Sequence, residues 1–139
     1  MEGGLSKMKI WVNGSFDILH IGHIKLLEEA SKYGEVRVGI DSDRRIKEFK
    51  GESRPFNSLE KRKEFLESIK YVKDVVSFDS NEELINCIKN YEPDIMVIGD
   101  DYKYKPIIGV EFIGKVLFFD KIKNISTSSI LSHEKKLNK

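Results

Sequence analysis

The sequence predicts a single α/β domain of the doubly wound type, built on five parallel strands. Three observations predict it. Short apolar runs alternate with helical patterns in the order β-α-β-α-β-α-β-loop-β-α. One run, residues 95–99 (IMVIG), is almost continuously apolar, as suits a strand covered on both faces. The length, 139 residues, is that of one domain.

Residues 9–13 (KIWVN) form an apolar run that stops at Asn-Gly and read as the first, buried strand. Residues 22–33 place Ile24, Leu27 and Ser31 on one stripe with Leu26 and Ala30 beside it, a helix that Gly34 ends. Residues 35–40 (EVRVGI) alternate and read as the second strand, and the chain from Asp41 to Pro55 reads as polar connection. Asn57 as N-cap and Glu60 three residues on open a helix to about Lys70, with Leu59, Phe65, Leu66 and Ile69 apolar. Residues 75–78 are the third strand. Ser80 caps the next helix, whose spacing buries Leu84, Ile85, Cys87, Ile88 and Tyr91, so Cys87 reads as a small core residue. Residues 95–99 and 115–119 (KVLFF) are the fourth and fifth strands, and Ser126-Thr127-Ser128-Ser129 caps a terminal helix over residues 129–136. The domain is expected over residues 9–132, with flexible ends at 1–8 and 133–139.

Composition excludes several classes. With 40% hydrophobic and 34% charged residues there is material for a core, and no apolar run reaches the ~18 residues of a membrane span. The first eight residues carry no apolar h-region, and a single cysteine excludes an internal disulfide, so a cytoplasmic protein is expected. A net charge of +1 excludes a uniformly basic nucleic-acid coat. The charge is unevenly spread. Residues 44–63 hold eight Lys/Arg against three Glu, residues 64–101 three Lys against ten acids, and residues 102–139 eight Lys against three acids. Two basic stretches far apart in sequence either converge on one anionic ligand or are solvated helix faces.

In open α/β sheets, ligands lie beyond the carboxyl ends of the strands. Here that edge gathers residues 13–23 (NGSFDILHIGH), 99–103 (GDDYK) and 121–128 (KIKNISTS). Two of the three histidines fall in His20-Ile21-Gly22-His23, where the first strand hands over to the first helix. A helix N-terminus offers unpaired N–H groups and partial positive charge, Gly22 leaves room for a phosphate, and imidazoles there can donate to phosphoryl oxygens as charge builds. The alternatives are a metal site on His20, His23 and Asp17, which lacks a fourth ligand, and for Ser-Thr-Ser-Ser a plain N-cap. Asn124-Ile125-Ser126 is also a glycosylation sequon.

Residues 14–23, Gly-Ser-Phe-Asp-Ile-Leu-His-Ile-Gly-His, resemble the G-x-F-D-x-x-H-x-G-H signature of cytidylyltransferase-like nucleotidyltransferases, and Ile125-Ser126-Thr127-Ser128 resembles their second signature. The resemblance covers about residues 9–131. It implies a Rossmann-like (HUP-type) fold, a homodimer, and binding of an NTP, ATP or CTP, with Mg²⁺ and of a phosphorylated sugar or polyol. The acceptor phosphate would attack the α-phosphorus in line, pyrophosphate would leave, and no covalent enzyme intermediate would form. His20, His23 and Lys50 would then be the catalytic residues. Gly14, Ser15, Phe16, Gly22, Gly99, Asp100, Ile125, Ser126, Thr127 and Ser128 would contact the nucleotide. Arg54, Arg62 and Lys121 would meet substrate phosphates, and Asp17 would brace the first loop. No resident metal site is implied.

Residues 50–62 (KGESRPFNSLEKR) resemble a segment of heptose-phosphate adenylyltransferases, which implies ATP and heptose 1-phosphate. Gly99-Asp100-Asp101-Tyr102 and residues 67–72 are instead similar to glycerol-3-phosphate cytidylyltransferases, which implies CTP. Those enzymes place R-T-x-G before the second signature. This chain has Lys121-Ile122-Lys123-Asn124, a point charge in place of a bidentate fork. A nucleotide-binding module without turnover is the reading from another class.

Overall fold

Strand β1 (Lys9–Gly14) is the axis of the molecule, with Ile10, Trp11 and Val12 all essentially inaccessible. Successive strand side chains point to opposite faces. Ile10 and Val12 therefore join one core and Trp11 the other. The computed structural model describes residues 7–99, 107–120 and 124–126. After β1 come α1 (Ile21–Ser31), β2 (Glu35–Asp41), α2 (Asp43–Lys50), α3 (Leu59–Glu67), β3 (Asp74–Phe78), α4 (Asn81–Tyr91) and β4 (Ile95–Ile98). A 3₁₀ turn (Val110–Phe112), β5 (Lys115–Asp120) and β6 (Asn124–Ser126) follow.

The strands lie in the order β3-β2-β1-β4-β5-β6. β1 pairs parallel with β2 (Ile10 opposite Val36) and with β4 (Ile10 opposite Ile95), and β2–β3 and β4–β5 are also parallel. The chain winds outward from β1 on one side and then restarts at β4 on the other. That places the topological switch point between β1 and β4. α1 and α3 cover one face, burying Leu26, Leu27, Ala30 and Leu66 on Val36, Val38, Val75 and Val97. α4 covers the other, with Leu84, Ile88 and Tyr91 on Trp11, Phe78, Met96 and Phe118. Cys87 packs against this second core, and burial pushes its thiol pKa up, as its reading as a core residue requires.

The five parallel strands are those expected, and the differences are local. β6 adds a sixth strand, antiparallel to β5 with Ser126 opposite Phe118. At three residues it is too short to show a period. α2 replaces the expected polar connection: Ser42 caps it by accepting from the Arg45 N–H, and only Arg45 and Ile46 are buried on its short face. The cap of α3 is Ser58, not Asn57: the Ser58 hydroxyl accepts from the Lys61 N–H, while the Asn57 amide donates to the Asp17 carbonyl. α3 ends at Glu67. Ser80 caps α4 as expected, and Glu83 reaches back to the Asp79 N–H. The expected terminal helix lies outside the described residues.

Trp11 fits because Gly39 on the neighbouring strand has no side chain. A Cβ there would stand 2.5 Å from the indole and 3.1 Å from the Phe78 ring. Gly39→Ala is therefore expected to destabilise the fold by about 1–3 kcal/mol through overpacking, read as a lowered urea midpoint with an unchanged m-value.

Candidate functional site

The loop after β1 turns on Phe16, a non-glycine residue in the left-handed region at φ 49°. Such conformations persist only where the surroundings hold them, and they concentrate at functional sites. Here the buried Phe16 ring packs against the His23 imidazole, with centroids 5.1 Å apart. α1 then opens on a reciprocal histidine cap. The Gly22 N–H donates to His20 Nδ1 at 3.1 Å, and the His20 N–H donates to His23 Nδ1 at 3.2 Å. The two rings stack with centroids 3.9 Å apart. Both Nδ1 atoms act as acceptors, so each neutral ring carries its proton on Nε2. The cap thereby selects the tautomer that presents an N–H donor away from the helix.

Asp17 holds the facing loop. Its carboxylate, 1% exposed, accepts from Arg54 Nε (2.8 Å) and from the N–H groups of Phe56 (2.9 Å) and Asn57 (2.9 Å). Burial alone would raise its pKa. The Asn57 and Phe56 N–H groups and the Arg54 guanidinium more than offset this and leave it below the ordinary 3.8. Lys50 Nζ lies 3.1 Å from the Ser15 hydroxyl. Ser15, His20, His23, Lys50 and Arg54 thus converge on a cavity of about 170 Å³ whose polar lining suits a phosphate.

Arg62 departs from expectation. As a phosphate-binding residue it would face the site, but its side chain is 0% exposed. Its guanidinium donates to the carbonyls of Ser15 (3.0 Å), Asp41 (2.7 Å) and Asn57 (3.0 Å) and to the Asp43 carboxylate (2.6 Å). It is a strut beneath the loops. Asp17 does brace the first loop, and with its carboxylate committed to three donors it is not a ready metal ligand. Among the described residues no cluster of three or more His, Cys, Asp or Glu is placed to hold a metal.

A larger cavity of about 670 Å³ opens at the switch point. Gly14, Ser15, Phe16, His23 and Lys50 line its middle, and Gly99, Ile107 and Ile108 its β4 side. A Cβ on Gly99 would come within 2.8 Å of Leu26, so the glycine lets α1 close over the end of β4. On the β2 side lie Asp41, Arg45, Phe49 and Asn81, which sequence reasoning missed. The signal for Arg45 and Phe49 was the Ser42 cap, which starts the helix that carries them with Lys50. Ile125 and Ser126 fall in β6, separated from β1 by β4 and β5. Asp100, Lys121, Thr127 and Ser128 lie outside the described residues.

Fold and site together define a Rossmann-like α/β domain with a histidine-capped helix opening on the carboxyl edge of its sheet. The cytidylyltransferase-like family model matches residues 11–132. The chain belongs to that family, and this supports the expected nucleotidyltransferase. It is 42% identical over 127 residues to the bifunctional protein HldE of Campylobacter fetus, covering 91% of this chain and 28% of that protein. It is 42% identical over 125 residues to HldE of Helicobacter hepaticus, covering 88% and 25%. The chain thus spans about a quarter of the length of the curated relatives it matches. Among solved structures, a lipopolysaccharide core biosynthesis protein from Thermoplasma volcanium superposes with a TM-score of 0.62 at 26% identity. That match covers 70% of this chain and 79% of the other. No helix among the described residues is long and apolar enough to cross a membrane.

Two outcomes follow from the loop scaffold. Arg62→Met is expected to cost about 1–3 kcal/mol of stability by leaving the carbonyls of Ser15, Asp41 and Asn57 without their donor, measured by urea unfolding. The depressed Asp17 pKa contributes stability that is present above the unfolded carboxyl pKa and lost as pH falls through the lower folded value. Asp17→Asn is expected to be about 1–3 kcal/mol less stable than wild type at pH 7, with the difference shrinking as unfolding is measured toward pH 3.

Proposed function

We propose that this chain transfers a nucleoside monophosphate from an NTP, bound as its Mg²⁺ complex, to a sugar or polyol phosphate, and that the substrates are ATP and heptose 1-phosphate. The observation that carries the reading is the histidine cap. Two imidazoles whose protons sit on Nε2 line a phosphate-sized cavity together with Lys50 and Arg54. An acceptor phosphate oxygen attacks the α-phosphorus, and the bond from that phosphorus to the α–β bridging oxygen breaks. Pyrophosphate leaves with the electron pair. The attacking phosphate is already anionic, so no general base is required, and no side chain becomes covalently linked. What the reaction needs is alignment and donors aimed at the oxygens where charge accumulates. His20, His23, Lys50 and Arg54 would supply these. Mg²⁺ prefers phosphate oxygens and water to an all-protein cage, so it would arrive with the nucleotide.

The choice of acceptor is supported by residues 50–62, by the identity to proteins named HldE, and by the likeness to a lipopolysaccharide core biosynthesis protein. A homodimer, as the family resemblance implies, completes the reading.

The test is pyrophosphate release with ATP, CTP, GTP or UTP against heptose 1-phosphate and glycerol 3-phosphate. Turnover with ATP and heptose 1-phosphate is expected. Turnover with CTP and glycerol 3-phosphate alone would replace that pair, and nucleotide-dependent thermal stabilisation without turnover would mean a binding module. His23→Ala is expected to lower kcat about 10²–10³-fold. His20→Asn separates capping from catalysis. Asn is a good N-cap, so the melting temperature is expected to hold while kcat falls by a similar factor.

A further inference from the structure

Arg54, which lines the small cavity, is held from two directions. Its Nε donates to Asp17 Oδ2 at 2.8 Å, and its guanidinium lies over the Phe56 ring, 4.6 Å from the centroid. The same Asp17 oxygen also accepts from the Phe56 N–H at 2.9 Å. One atom thus ties the side chain of residue 54 to the backbone of residue 56. Next to them in the chain, Lys47 Nζ donates to the Arg54 carbonyl (3.1 Å), and the Asn57 N–H donates to Asp17 Oδ1 (2.9 Å). The ring is therefore carried to the guanidinium by a backbone fixed at three points. Among the described residues no hydrogen bond uses the two Nη nitrogens of Arg54.

We propose that Phe56 is a positioning residue for the transfer reaction. Its ring holds the Arg54 guanidinium in the plane that presents the Nη nitrogens to a substrate phosphate in the small cavity. The inference rests on the nucleotidyl-transfer reading above. Its first support is a division of labour. A hydrogen bond at Nε fixes one atom and leaves the guanidinium free to swing about it, whereas a ring against its flat face fixes the plane. A planar fork meets a phosphate with two parallel bonds only when that plane is set. An arginine already held in place also loses less rotamer freedom when the phosphate arrives.

The second support is charge. A further carboxylate would hold the guanidinium as firmly, but it would cancel the positive charge that a phosphate needs. An aromatic face attracts a cation through its quadrupole and carries no net charge. Asp17 supplies one anion and Phe56 restrains the same group without adding another. The third support is place. Phe56 lines neither of the two cavities, so it reaches the substrate through Arg54 and not by contact.

The test is steady-state pyrophosphate release by the full chain with the NTP and acceptor that turn over, expected to be ATP and heptose 1-phosphate. Wild type is compared with Phe56→Leu, Phe56→Tyr, Arg54→Met and the double variant Arg54→Met/Phe56→Leu. Phe56 is 64% exposed, so both of its single variants are expected to melt with wild type. Phe56→Leu, which stays apolar but loses the ring, is expected to lower kcat/KM for the acceptor about two- to fivefold through KM, the worth of one exposed cation–π contact. Phe56→Tyr keeps the ring and is expected to match wild type. On the Arg54→Met background, Phe56→Leu is expected to change nothing further. In the unliganded chain the Arg54 Nε–H proton is expected to lose its ring-current NMR shift in Phe56→Leu and keep it in Phe56→Tyr. Wild-type kinetics in Phe56→Leu, an equal loss in Phe56→Tyr, or the same loss without Arg54 would each overturn the positioning role and leave the transfer reading intact. Wild type that releases no pyrophosphate with any NTP and acceptor would overturn the transfer reading and this role with it.

Discussion

The site depends on one buried cation. Arg62 donates to the carbonyl ends of β1 and β2 through Ser15 and Asp41, to the Asn57 carbonyl before its own helix, and to Asp43 in the first turn of α2. Each is a place where the chain leaves or enters an element at the carboxyl edge of the sheet. Carbonyls there have no sheet partner, and an open crevice would leave them half-solvated. A planar guanidinium with five donors in a fixed fork can satisfy several at once and hold their spacing, which a lysine point charge cannot. Asp17 answers it from the other side, an acceptor binding the Arg54 guanidinium and two backbone N–H groups of the same loop. One buried donor and one buried acceptor set the relative positions of the β1 loop, α2 and the residue 54–57 loop, and Ser15, Lys50 and Arg54 follow.

The fold was legible because its signals were long or repeated. β4 is apolar throughout and β1 carries the apolar run Ile10–Val12, α1 and α4 have clear stripes, and the Ser80 cap fits its pattern. What failed was short or ambiguous. α2 has eight residues and buries two of them, so its period is invisible between charges. Asn57 and Ser58 both suit an N-cap, and the choice was made by Asp17, forty residues upstream. The site divides in the same way. His20 and His23 are three apart on one chain segment, so their pairing is local. Arg62 read as a phosphate ligand because a run of Lys61-Arg62-Lys63 shows charge without burial, and only the packed helix reveals that the middle member points inward. Arg45 was hidden for the same reason, since a buried arginine beside Arg44 looks like one more surface charge until its burial is known.

The histidine cap explains why two imidazoles stand where serine or aspartate is the stronger helix starter. A serine hydroxyl would accept the backbone N–H and offer nothing rigid beyond it. An imidazole accepts at Nδ1 and carries a second nitrogen across the ring, at a fixed distance and in a fixed plane. Elsewhere a catalytic histidine is oriented by a carboxylate or carbonyl at its second nitrogen. Here backbone N–H groups of the cap, those of Gly22 and His20, hold the two rings, which stack on each other while the Phe16 ring packs at a tilt against His23. Asp17, the acid that lines the small cavity among the described residues, is paired with Arg54 and two N–H groups. The first turn of α1 is therefore both a helix start and a pair of aimed donors, and the left-handed Phe16 that leads into it is held because that aim depends on it.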